Sequence, residues 1–92
     1  MRISGTGGRV RVGYQTAARL GRWSLTRVRA APTPAYEATA MLTEADAFWV
    51  GQRPMALELV MGQRSWVWDA VEPRITGTES LAVTLEGGPS IH

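Results

Sequence analysis

The sequence predicts a mainly β protein: a small β-sandwich or partly open barrel of about six strands with one short α-helix. Three observations lead there. Apolar and polar residues alternate with period two along most of the chain, the signature of half-buried strands. Ten glycines and five prolines fall largely between the alternating runs and punctuate them. A single stretch, Thr43 to Gly51, carries signals for the start and stop of a helix.

Taken in order, Gly5-Thr6-Gly7-Gly8 reads as a flexible leader, so residues 1–8 are expected to form an arm that is free or held at an interface. Arg9 to Tyr14 alternates, with Val10, Val12 and Tyr14 on one face and Arg9 and Arg11 on the other. Gln15-Thr16-Ala17-Ala18 is expected to turn, and Leu20 to Arg27 to return as a second strand with Trp23 and Leu25 on one face and Gly21 at a bulge. Pro32 and Pro34 exclude a central strand and mark an exposed connection. Ala35 to Leu42 resumes a strand, with Tyr36, Ala38, Ala40 and Leu42 on one side and Glu37, Thr39 and Met41 on the other.

Thr43-Glu44-Ala45-Asp46 has the form of a capping box, and Gly51 is placed to stop the helix, with Ala47, Phe48 and Val50 expected to face the core. Met55, Leu57, Leu59 and Met61 share a face of the next strand, and Gly62-Gln63 is a two-residue turn of the Gly-X type. The chain returns over Arg64 to Val71, loops at Gly77-Thr78-Glu79 and ends in a strand from Ser80 to Glu86. Trp23, Leu25, Leu57, Leu59, Trp66, Val83 and Leu85 are the expected core.

Length and composition narrow the classes. A chain of 92 residues makes one domain, covering 1–92, with one modest core. No apolar run approaches the roughly 20 residues of a membrane helix, and Met1 to Gly5 has no apolar segment of the kind a secretory signal needs. With no cysteine there is no disulfide framework and no thiolate metal site. All ten basic residues are arginine, and seven of them (Arg2, Arg9, Arg11, Arg19, Arg22, Arg27 and Arg29) precede Ala30 in a segment without a single acid. From Ala30 onward, Arg53, Arg64 and Arg74 stand against eight acids. Such unequal parts let a basic surface meet an acidic one on another copy, or meet nucleic acid.

Catalytic equipment is not visible. The single histidine, His92, is the last residue, whereas a general acid or base needs a partner in a pocket. The acids are scattered without ligand spacing, so no metal or cofactor is expected. No G-x-S-x-G elbow occurs, and Gly5-Thr6-Gly7-Gly8 lacks the Lys and helix of a phosphate loop. Trp23, Trp49, Trp66 and Trp68 could stack bases beside arginine, but aromatic residues at strand spacing more often form core.

The order of a first hairpin running into Leu20-Gly21-Arg22-Trp23-Ser24-Leu25-Thr26, then Tyr36-Glu37-Ala38-Thr39-Ala40, a short helix, a hairpin and a terminal strand resembles the tail-tube proteins of long-tailed bacteriophages. In those proteins a β-sandwich flanked by one helix assembles into stacked rings. The resemblance implies a non-enzymatic virion structural protein, made in the bacterial host cytoplasm and forming a tail or tail-proximal ring or tube. Its partners would be copies of itself and other virion proteins, with neither a membrane nor a small-molecule substrate. The seven N-terminal arginines are the candidate interface, with Arg9 and Arg11 on the outer face of their strand and Glu58, Asp69, Glu72, Glu79 and Glu86 expected to offer them partners on an adjacent copy. A capsid decoration or cement protein is an alternative. So is a small nucleic-acid-binding β-barrel contacting DNA through the basic segment.

Overall fold

The computed structural model describes every residue except Gly77 and Thr78. Among the described residues the order is β1 (Arg2–Thr6), β2 (Gly8–Val12), β3 (Gln15–Arg29), β4 (Ala35–Ala45), α1 (Ala47–Val50), β5 (Met55–Met61), β6 (Arg64–Val71), β7 (Arg74–Thr76), β8 (Ser80–Glu86) and β9 (Ser90–Ile91). The class is as expected, mainly β with one short helix, but the strands number nine rather than about six. All pair antiparallel, in the order β7-β8-β4-β3-β2-β5-β6-β9, with β1 paired to β3. The sheet curls without closing. The chain itself links its two sides, since β6, next to the β9 edge, runs through Glu72-Pro73 into β7 at the other edge, and Pro73 has no N–H to offer a ladder.

Period two decides what is buried. On β4, Tyr36, Ala38, Ala40 and Leu42 point into the core, and on β8 Leu81, Val83 and Leu85 do. Trp23 and Leu25 of β3 and Met55, Leu57 and Leu59 of β5 complete the interior. Trp68 is buried and stands edge-on to Tyr36, with ring centroids 5.7 Å apart, while its Nε1 donates to the Gly87 carbonyl at 3.0 Å. That single side chain ties β6 to the end of β8, where no ladder joins them. Trp66, expected in the core, is only partly buried against it.

The N-terminal segment departs most from expectation. Instead of a flexible leader, Arg2–Thr6 is a strand whose register on β3 runs on into that of β2, from Arg2 opposite Thr26 to Arg9 opposite Arg19. The Gly7 N–H donates to the Gly21 carbonyl at 2.9 Å between them. The glycines serve packing here. Gly8 has φ +141°, and a Cβ there would collide with the carbonyl oxygen of Glu58, across the β2–β5 ladder.

Other boundaries move for identifiable reasons. The first hairpin turns at Gly13-Tyr14, with Val12 opposite Gln15 and Gly13 at φ +61°. Gln15 to Ala18, expected to turn, therefore belong to β3, and Tyr14 leaves the core face for solvent. The Gly62-Gln63 turn is as expected, with Gly62 at φ +64° and Met61 opposite Arg64. Gly21 lies at a bulge of β3 against β4 as expected. Strand β4 extends through Thr43 to Ala45, so Thr43 does not cap. The cap is Asp46, whose Oδ1 accepts from the Phe48 N–H at 3.0 Å, and Gly51 ends the helix. Of the residues expected to face the core, Ala47 and Phe48 are exposed, and Val50 packs against it together with Trp49. The expected loop at Gly77 and Thr78 lies outside the described residues. Ser80–Glu86 is not the last strand, because β9 follows and pairs with β6.

Candidate subunit interface

Strand alternation places Arg9 and Arg11 on the outer face of β2, as expected, but the acid they meet belongs to the same chain. Arg9 stands opposite Glu58 on the neighbouring β5, and its Nε lies 3.0 Å from Oε2. The Arg11 Nε approaches Oε1 at 2.5 Å, and its guanidinium also donates to the Gly13 carbonyl at 3.0 Å. Arg9 reaches the Thr16 hydroxyl at 3.0 Å on its other side. Partial burial pushes the Glu58 carboxyl up, yet the hydrogen bonds and charges of Arg9 and Arg11 outweigh it and hold the group below its ordinary value. The pair thus stitches β2 to β5 within one chain, whereas the sequence alone points to acids on a neighbouring copy.

Two more candidate arginines are also engaged internally. Arg29 binds Glu86 at 2.5 Å and the Thr33 carbonyl at 2.8 Å, holding the proline-rich connection against β8. Arg19 lies 3.7 Å from Glu44 on the adjacent β4. Both pairs are exposed to solvent, where such contacts contribute little.

Arg2, Arg22 and Arg27 form no salt bridge among the described residues. Arg2 and Arg22 lie on the outward face of β1 and β3, and the Arg2 Nε donates to the Ser24 hydroxyl at 3.0 Å. They flank a shallow trough of about 590 Å³ that crosses β1, β3, β4, β8 and β7. Its described lining includes Ser4, Ser24, Thr39, Thr76 and Ser80 with the exposed Met41, and contains no acid. The register explains the chemistry: Ser4, Ser24, Thr39 and Ala82 lie in one row across four strands, all facing away from the core. Small hydroxyl residues leave the row low, so the two guanidiniums stand proud of it.

The trough draws together Arg2 and Arg22 of the expected seven, with Arg27 on the same strand beyond it. The serines and threonines were missed at the level of sequence. They were legible only as the polar half of each alternation, because which strands lie side by side is a property of the sheet. His92 is bound through its backbone to Ser65, which it meets at 2.9 and 3.0 Å. Among the described residues no three His, Asp or Glu side chains converge as a metal site, and no helix is long and apolar enough to cross a membrane. No family model matches the chain, and no curated protein or solved structure matches it.

Proposed function

We propose that this chain is a non-enzymatic structural subunit of a tailed-bacteriophage virion, which builds a ring or tube at or near the tail through contacts between copies. The observation that carries the reading is the acid-free trough with Arg2 and Arg22 at its rim. Two guanidiniums without carboxylate partners are surplus to the fold, whereas Arg9 and Arg11 are used up within it. Arginine suits such contacts because its planar fork meets carboxylates in pairs. Exposed acids such as Glu37, Asp46, Glu72 and Glu79, which form no salt bridge among the described residues, offer partners on a second copy.

Light scattering on the purified protein, together with class-averaged electron micrographs, tests this. Rings or tubes whose formation weakens in Arg2→Ser/Arg22→Ser, with the monomer still folded, are the expected result. A monomer at every concentration would remove the assembly reading. The same lining favours a second reading, since an acid-free groove with two arginines also accepts phosphates. DNA affinity that falls steeply with salt and is lost in the same variant would put the nucleic-acid reading in its place. Micrographs of particles decorated on the capsid surface would assign the cement role instead.

A further inference from the structure

Every ladder in the sheet is antiparallel, so the hairpin turns fall at one or other of two ends of the molecule. One end carries the Gly13-Tyr14 turn, α1 and Glu79; the other carries Met1, the connection between β3 and β4, and the Gly62-Gln63 turn. These ends differ in charge and in exposed apolar groups.

At the α1 end Tyr14 is 97% exposed and Phe48 65% exposed, and Phe48 stands edge-on to Trp49 with centroids 5.0 Å apart. Tyr14 and Trp49 border the same small cleft, so the three rings form one aromatic tip. Isolated exposed side chains are ordinary, but three clustered aromatics are the composition of interface anchors. The charges around this tip that are not engaged in a salt bridge among the described residues are Asp46 and Glu79 against Arg53. At the opposite end Val28 is 52% exposed between Arg27 and Arg29, and Arg2 and Arg64 lie at that same end of their strands. Two acids lie there, Glu86, which Arg29 occupies, and Glu37, which follows Arg2 and Thr26 across the ladders, so Arg2, Arg27 and Arg64 still leave this end basic.

We propose that copies associate head to tail, the aromatic tip of one seating on the Arg27-Val28 end of the next. This rests on the assembly reading above and specifies its contact. Arg27 supplies a cation for the ring faces of Tyr14 and Phe48, Val28 supplies apolar area, and the basic end meets the acidic one. The two surfaces are different, so each copy keeps one free end after pairing, and such heterologous contacts extend into rings or filaments.

The test uses two variants of the full chain, Tyr14→Ser/Phe48→Ser and Arg27→Ser/Val28→Ser, followed by light scattering and circular dichroism. Each variant alone is expected to stay monomeric and folded at concentrations where the wild type assembles. Mixed in equal amounts, they retain one live tip and one live basic end between them, and are expected to give a species of two copies that grows no further. Wild-type-like assembly of both variants overturns this inference and leaves the assembly reading intact. Monomeric variants that fail to pair when mixed overturn it too, because they point to a contact made by like surfaces. A wild-type chain that never assembles overturns both. Should Tyr14→Ser/Phe48→Ser not fold, mixing wild type with Arg27→Ser/Val28→Ser keeps the question open to an answer: chain capping, seen as shorter assemblies, is expected, and no change in length counts against it.

Discussion

The indole of Trp23 fills the space that a side chain on Gly5 would need: a Cβ added at Gly5 would stand 2.5 Å from Cζ2. The same indole donates from Nε1 to the Gly7 carbonyl at 3.0 Å. Trp23 therefore fixes the N-terminal strand from below by shape and by a hydrogen bond, and the missing side chain at Gly5 is an absence that its ring requires. Gly5→Ala is expected to destabilise the protein by about 1–3 kcal/mol through overpacking. A fall in the urea midpoint with an unchanged slope would show it, and an unchanged midpoint would mean that the strand moves aside freely.

The two neighbouring tryptophans of β6 should separate cleanly. Trp68 is buried and hydrogen-bonded, whereas Trp66 is only partly covered. Trp68→Ala is expected to cost about 3–5 kcal/mol, enough to unfold much of a domain this small. Trp66→Ala should cost clearly less. Equal shifts in denaturation midpoint for the two variants would contradict this placement of β6.

Glu58 predicts a pH dependence. Its carboxyl is held below the ordinary value in the folded chain, so the unfolded chain binds the proton more readily. The stability it contributes is present above the ordinary carboxylate value of about 4.3 and is lost as pH falls through the lower folded value. Glu58→Gln removes this linkage. The gap in stability between wild type and variant is expected to shrink as the pH drops below about 4, in urea titrations across that range. A gap that stays constant would show that Arg9 and Arg11 do not grip the carboxylate in solution.

Ala70 offers a stabilising change. It sits at φ +54° in a bulge of β6, where Asp69 and Ala70 together oppose Ala56. A left-handed conformation costs an L-residue roughly 1–2 kcal/mol that glycine avoids. Ala70→Gly is expected to raise stability by about 1 kcal/mol after the entropy of the unfolded glycine is counted. A lower melting temperature in the variant would place the bulge elsewhere.

Much of the fold was legible because alternation is a local property. The inward faces of β4, β5 and β8 follow from the order of residues, as do the Gly62-Gln63 turn and the exposed proline connection. Boundaries were misjudged where two local signals competed. Thr43-Glu44-Ala45-Asp46 has the spacing of a cap, but Ala45 pairs with Ala18 and the strand runs on until Asp46. Gly13-Tyr14 and Gln15-Thr16 are both acceptable turns, and the pairing of Val12 with Gln15 chose the first.

By itself the sequence determined the class, the faces of the main strands, the excess of arginine before Ala30 and the lack of residues spaced for metal or thiol chemistry. Only the tertiary structure decided which arginines remain available. Glu58 is 49 residues from Arg9 along the chain but directly opposite it in the sheet, so a charge that looks unpartnered in its own segment is neutralised from another. Likewise Gly5 to Gly8 read as a leader because a glycine's freedom is local, while the close approach of Trp23 and Glu58 that demands it is not. The physical reason is common to both. Hydrophobic alternation acts between adjacent residues and can be read along a line, whereas ion pairing and packing act through space and wait for the sheet to bring distant strands together.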